Sequence, residues 1–274
     1  MKLFFRILIL SVIFWKNTSA QDSILVSQYK PESFAIGFNG NIFLVSGSNL
    51  YELDSKGNFL FSYSEKTYGN ISSMDITNPF KFLVFYKETG TISFLDNHLK
   101  ELQSPISLPK QGLINTELAC MGSDNSFWIY YNDTRQLIKF DRQLNAISST
   151  TDLSILCPTN YSPKSVIERG DKLFLEVSGF GVLIFYTTGN YLQTLHFPNI
   201  FSFMPITEKA LFYKDSLSIP TMMDYTVNQI NLMQATPMYS TRNQSVYYNN
   251  KIYTLTNKYI MISTLLDVKS LNKQ

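Results

Sequence analysis

One short strand is written six times along this chain. The segments "NIFLVSG" from Asn41, "KFLVFYK" from Lys81, "SFWIYYN" from Ser126, "KLFLEVS" from Lys172, "KALFYKD" from Lys209 and "KIYTLTN" from Lys251 share one pattern. Their starts differ by 40, 45, 46, 37 and 42 residues, a mean of 42. A period of about 40–45 residues built from short alternating strands is what the blades of a propeller require. One such unit is a small twisted sheet that cannot bury both faces alone, so neighbours must stack around an axis.

The residues flanking this strand repeat as well. Turn formers precede it in most copies ("FNGN", "SDNS", "RGDK", "YNNK"), and an apolar residue stands five positions before its start: Ile36, Ile76, Met121, Ile167, Met204 and Val246. Downstream, "LDSKGNFL", "LDNHLKEL" and "FDRQLNAI" share an apolar-Asp-x-x-Gly/Leu-x-apolar turn, with "FYTTGNYL" a looser fourth. In the first unit that turn joins two alternating runs in "LYELDSKGNFLFSYS", which reads as a hairpin between the third and fourth strands. The last unit, "SVYYNN", "KIYTLTN" and "YIMISTLL", is one strand short, and "ILVSQYK" (residues 24–30) belongs to no unit. A strand over 24–30 that completes the last blade would close the ring and remove an open edge. The expectation is therefore an all-β, six-bladed propeller of four-stranded blades in a single domain over residues 21–274. The fifth unit, "LSIPTMMDYTVNQINLM", departs from the pattern and contains Pro220, which leaves a five- or seven-bladed ring open.

Residues 1–20 read as a secretory signal. Lys2 and Arg6 precede an apolar run from Ile7 to Trp15, and Thr18 and Ala20 are small residues at the positions a signal peptidase reads. The run is roughly half the 20 or so apolar residues of a membrane span. Such a signal would route the chain through the Sec pathway to the periplasm or the exterior, and cleavage after Ala20 would leave no membrane span. The remaining chain carries 20 Lys and Arg against 21 Asp and Glu, a net charge of −1. No basic excess is left to attract phosphate backbones, so nucleic acid is not an expected partner. With 21 Phe and 17 Tyr the chain is rich in residues suited to pleated, half-buried surfaces.

With the turn residues Asp54 and Gly57 and their relatives at Asp96 and Asp141, the chain resembles secreted NHL-like or YncE-like β-propellers. "SMDITNPFKFLVFY", "DNSFWIY" and "VIERGDKLFL" look more particularly like exported propellers of Bacteroidetes-type bacteria. The resemblance implies a fold and a compartment, and it brings no reaction with it. Leu99 and Leu144 stand where the turn glycine would be in the second and third units, so the signature is degenerate there.

Reactive constellations are sparse. The two His, His98 and His196, lie in different units, and neither zinc spacings nor the calcium loop D-x-[DN]-x-[DN]-G occur. G-x-S-x-G is missing too. No cofactor is expected. Cys120 and Cys157 could pair as a disulfide across the third unit in an oxidising compartment, or Cys120 could serve as a small buried hydrophobe. The aromatics Trp128, Tyr130 and Tyr131 could stack on a sugar or peptide, but as an alternating run they are expected to pack between blades, with only Tyr131 or its neighbours exposed.

The charged residues on innermost strands, Asp75, Glu117, Glu168 and Arg169, are the ligand or partner candidates, since these strands line the channel. They could form a polar pocket at the axis or pair among themselves in a solvated channel. The expected function is an exported, non-catalytic, monomeric binding or scaffold module for a protein or small ligand. The alternative is a channel-mouth hydrolase or lyase using converging carboxylates, with calcium. A carbohydrate-binding sensor is a third reading.

Overall fold

The computed structural model of the chain describes residues 22–197, 202–206, 209–213, 221–224, 229–234, 244–264 and 266–267. The stretch read as a secretory signal and Pro220 lie outside the described residues. Six antiparallel sheets follow one another around a ring, nearly all β with only short 3-10 turns between strands. Blade 1 comprises Ser33–Ile36, Ile42–Ser46, Asn49–Leu53 and Phe59–Ser64, paired in that order from the axis outward. Blades 2, 3 and 4 begin with the innermost strands Ser73–Asp75, Thr116–Met121 and Pro163–Arg169. Blade 5 begins at Ser202–Ile206 and blade 6 at Ser245–Tyr248. All innermost strands run the same way. Loops between first and second strands therefore share one face, here the upper face, with the turns between third and fourth strands. The blade-to-blade connections share the lower face with the turns between second and third strands.

Ring closure uses the N-terminal strand, as the repeat count requires. Asp22–Leu25 pairs antiparallel with Tyr259–Thr264 and becomes the outer strand of blade 6. It is shorter than the 24–30 expected from sequence. Ser27–Tyr29 form a 3-10 turn that ends at Lys30 in the left-handed region (φ 47°), because the chain must leave the outer rim and reach the axis at Ser33. The C-terminal side adds a feature the repeat did not foreshadow. Leu266–Asp267 leaves blade 6 and pairs with the outer strand of blade 5, Gln229–Gln234, as a fifth strand. The first and last described strands thus cover sheet edges.

The core lies between blades. Phe43, Val45, Val84 and Tyr86 fill the gap between blades 1 and 2. Leu83, Ala119, Phe127 and Ile129 fill the next, and Cys120, Trp128, Leu173 and Leu183 the one between blades 3 and 4. Trp128 and Tyr130 are fully buried, as their alternation suggested, while Tyr131 reaches solvent and donates its hydroxyl to Asp133 Oδ2 at 2.7 Å.

The third-to-fourth-strand turns keep one geometry despite their changing letters. Asp54 Oδ1 accepts from the amides of Lys56 (2.8 Å) and Asn58 (2.9 Å), and Asp96 and Asp141 repeat the arrangement in blades 2 and 3. The third residue after the Asp is left-handed in every case: Gly57 (φ 91°), Leu99 (φ 58°) and Leu144 (φ 65°). A Cβ on Gly57 would lie 2.5 Å from Ile24 Cγ2 of the closing strand, so only glycine fits. In blades 2 and 3 the leucine side chain instead packs back toward the preceding blade. Leu99 is fully buried and Leu144 only partly. A left-handed leucine costs about 1–2 kcal/mol, whereas removing a buried leucine side chain costs about 2–5 kcal/mol. Leu99→Gly is therefore expected to lose stability and Leu144→Gly to be nearly neutral, as urea titration of the two variants will show.

Candidate functional site

Turn length decides where the innermost carboxylates point. The apolar column before the repeated strand looks uniform in sequence, but its pairing changes between blades. Ile36 and Met121 face Ile42 and Phe127, the second residue of the repeated strand. Ile167, Met204 and Val246 face Phe174, Leu211 and Tyr253, the third residue. The cause is a two-residue turn in blade 4 (170–171) and blade 6 (249–250), where blade 3 has five residues (122–126). Asn249 and Asn250 are both left-handed (φ 48° and 57°), as so tight a hairpin demands. A one-residue slip turns every side chain to the other face.

Two consequences follow for the sequence candidates. Asp75 pairs with Leu83 and faces blade 3 from blade 2, and Glu168 pairs with Leu173 and faces blade 3 from blade 4. Both are buried. Asp75 accepts from the amides of Thr77 (2.8 Å) and, across the blade boundary, Met121 (2.9 Å). Glu168 accepts from the Ser123 amide (2.6 Å) and from Trp128 Nε1 (2.7 Å). Lys139 Nζ lies between Glu168 (3.6 Å) and Asp124 (3.3 Å) and over the Trp128 ring at 5.6 Å. Blade 3 is thus gripped from both sides by carboxylates that accept its own N–H groups.

Burial pushes the Asp75 carboxyl above the usual range, against the pull of its hydrogen bonds and of Arg169. Arg169 follows Glu168 at the same upper end and is partly exposed. Glu117 sits elsewhere. It lies at the lower end of the blade 3 inner strand, at a register shift between Thr116 and Leu118, and pairs with Lys87 of blade 2 at 3.7 Å. The structure therefore gathers Asp75, Glu168 and Arg169 at one end and leaves Glu117 at the other.

Cys120 and Cys157 stand as separate buried thiols within one core cluster. Burial raises the Cys120 thiol well above its usual range, and the charges of Asp75 and Glu168 push the same way. Such a thiol is a packing residue. His98 and His196 are exposed, each edge-on to a phenylalanine, Phe61 and Phe180.

A further buried carboxylate escaped the sequence reading. Glu52, in the third strand of blade 1, accepts from Asn41 Nδ2 at 2.6 Å through Oε1, while Oε2 is buried with no donor among the described residues. Desolvation raises its carboxyl above the usual range, with Asn41 and His98 pulling it back. In the unfolded chain Glu52 ionises at its ordinary value, so native stability falls as pH rises from there to the elevated folded value. Glu52→Gln lacks this loss. Its melting midpoint should exceed the wild type near pH 7 and match it near pH 4, around the ordinary Glu value.

The lower face carries what the sequence left unmarked. A small cavity of about 10 Å³, room for about one water, lies between blades 3 and 4, lined by Tyr130, Arg135, Leu153, Cys157, Tyr161 and Leu175 among others. Two large apolar side chains stand out on the same face, Ile114 (68% exposed) before blade 3 and Ile155 (76%) before blade 4. Phe38 (82%) and Phe80 (76%) stand out on the upper face, in the first-to-second-strand loops of adjacent blades 1 and 2. A phenylalanine within a run of turn formers, "FNGN" and "NPFK", was the available signal for that pair.

Among the described residues no group of three or more His, Cys, Asp or Glu is arranged to hold a metal ion. Nor is any helix there long and apolar enough to cross a membrane.

No protein-family model matches the chain, and no curated protein does. Among solved structures it is similar to a streptogramin B lyase, with TM-score 0.56 and 16% identity over 85% of this chain and 78% of that one. It is also similar to BBS1N, solved in complex with ARL6DN (TM-score 0.58, 11% identity, 85% and 77% covered). A third similar structure is the extracellular domain of a protein described as a one-component system from B. thetaiotaomicron (TM-score 0.56, 12% identity). That match covers 85% of this chain but 33% of the other. At such identities the likeness shows the fold alone. An enzyme, a protein-binding module and an extracellular domain all stand on this architecture, so the site must carry the functional reading.

Proposed function

We propose that the chain is an exported, non-catalytic propeller that binds or scaffolds partners in the cell envelope. The observation that carries this reading is the placement of the most exposed large apolar side chains among the described residues. Phe38 and Phe80 mark the upper face of blades 1 and 2, and Ile114 and Ile155 the lower face of blades 3 and 4. Scattered exposed leucines need no explanation, but large apolar residues gathered on neighbouring loops are characteristic of interaction sites. Aromatic anchors of this kind supply most of an interface's energy. The carboxylates that a hydrolase or lyase would use are already engaged, since Asp75 and Glu168 accept backbone amides of blade 3. Two separated faces suit a scaffold better than a one-ligand receptor.

The test uses two double variants, Phe38→Asp with Phe80→Asp and Ile114→Asp with Ile155→Asp, in affinity capture from envelope fractions of the native host. Hot-spot anchors contribute about 2 kcal/mol or more each, so each double variant should lose the partner of its face by at least roughly 30-fold. Exposed substitutions change stability by only about 0.5 kcal/mol, so both variants should melt close to the wild type. Unchanged capture by both would overturn the reading.

A further inference from the structure

Two cations stand near one another on the upper face, beside Phe80, with no acid committed to either. Asn78 shapes the blade 2 loop that carries the first. Its Oδ1 accepts from the Phe80 amide at 2.9 Å and its carbonyl from the Lys81 amide at 3.3 Å. Phe80 is thereby held out in solvent, while Lys81 turns back and sets its Nζ 3.8 Å from the centre of the Phe94 ring. From Phe94 a row of rings crosses into blade 3, Phe127 at 5.9 Å and then Phe140 at 5.7 Å from Phe127. Arg142 follows Phe140 by two residues, exposed in the third-to-fourth-strand turn. Burial, and then the like charge of Arg142, hold the Lys81 ammonium below its usual range. Neither cation forms an ion pair among the described residues. The acids of the neighbouring turns are engaged elsewhere: Asp96 and Asp141 accept the amides of their own turns, and Asp124 pairs with Lys139. Like charges brought together without a counter-charge favour an anion that joins them.

Resting on the reading of Phe38 and Phe80 as partner anchors, we infer that the partner of the upper face is a protein segment in which a large apolar residue stands beside an Asp or Glu. Its carboxylate sits between Lys81 and Arg142 and its apolar side chain lies against Phe80. Charge complementarity selects this occupant. Arg142 offers the planar fork that matches a carboxylate, and Lys81 a point charge already partly desolvated over its ring. Phe38, on the next blade, takes a further apolar residue of the same segment. Its carbonyl accepts from the Tyr248 hydroxyl at 2.8 Å, so both anchor loops are tied down before the partner arrives and little ordering is left to do. A polyanion or an anionic lipid surface needs a broad basic field, whereas the chain after Ala20 has a net charge of −1.

The test is panning of a random dodecapeptide library on the purified chain, with peptides that also bind the Phe38→Asp, Phe80→Asp variant removed. The peptides retained should carry an Asp or Glu within about two positions of a large apolar residue, since Phe80 and Lys81 are neighbours. Lys81→Glu with Arg142→Glu should weaken such a peptide by roughly 10- to 100-fold in fluorescence anisotropy, the worth of a charge-assisted hydrogen bond. Panned on that variant, the same library should yield Lys or Arg in place of the acid. Arg142→Glu alone, on an exposed turn, serves if the double variant does not fold. Peptides that depend on Phe38 and Phe80 but show no acidic preference, or bind the charge-reversed chain equally well, would overturn this inference and leave the anchors standing. Absence of any peptide that depends on the two phenylalanines would remove both. Co-sedimentation with phosphatidylglycerol vesicles, lost in the Phe38→Asp, Phe80→Asp variant, would assign the face to a lipid surface and overturn the inference.

Discussion

Glu168→Leu should lower native stability by about 3–5 kcal/mol, the penalty for removing one partner from a buried charged pair. The substitution strands three groups at once. Trp128 Nε1 and the Ser123 amide lose their acceptor, and Lys139 is left buried with only the exposed Asp124 beside it. For a domain of this size about 1 kcal/mol corresponds to roughly 2–4 °C, so the midpoint should fall by about 6–20 °C. Glu168→Gln, which keeps one acceptor oxygen, should fall between. The pair Glu168→Leu with Lys139→Met should recover more than half of the loss, because an apolar replacement of a whole buried ion pair is often near neutral. Differential scanning calorimetry of the three variants decides the matter. A midpoint within about 2 °C of the wild type for Glu168→Leu alone would mean that the carboxylate is no strut.

Removing residues 22–26 should be comparably severe. Ile24 and Val26 are buried against Phe34, Leu53, Leu255 and Ile260, where the last blade meets the first. Burial of two such side chains contributes roughly 3–6 kcal/mol. The deletion also strips the ladder from Tyr259–Thr264, which leaves an open apolar edge. The truncated chain should melt far below the wild type and associate, as calorimetry and size-exclusion chromatography will record. Supplying a peptide of residues 22–30 in trans should restore part of the midpoint. A truncated chain that stays monomeric with an unchanged midpoint would show that the ring does not need this strand.

The ring was legible in the sequence because its evidence is periodic. A strand recurring every 42 residues on average, an incomplete last unit and a surplus first strand point to a closed six-bladed ring without any knowledge of side-chain direction, and only the irregular fifth unit left five or seven blades open. Direction was not legible. Glu168 and Asp75 stand on opposite sides of an apolar column that reads as continuous, but the two-residue turn at 170–171 slips the register of blade 4 and sends Glu168 toward blade 3, which Asp75 faces from blade 2 in the other register. The signal was the tight "RGDK" turn beside the longer "MGSDNS", a difference that an alignment by strand start conceals. The cavity was hidden for another reason. Arg135, Leu153 and Cys157 come from a turn and an irregular connection, where no pattern constrains the chain and only tertiary packing brings the residues together. The leucines at 99 and 144 carry the opposite lesson, since a degraded motif retained its left-handed geometry.

Site-specific photo-crosslinking in the native host tests most directly whether this propeller works through its two faces. A benzophenone amino acid would be placed singly at Phe38, Phe80, Ile114 and Ile155, and at the channel positions Glu117 and Arg169. Crosslinks to discrete proteins from Phe38 or Phe80 and from Ile114 or Ile155, with none from the channel positions, are the result expected of a binding or scaffold module. Crosslinks confined to Glu117 and Arg169 would contradict it and place the working site in the channel.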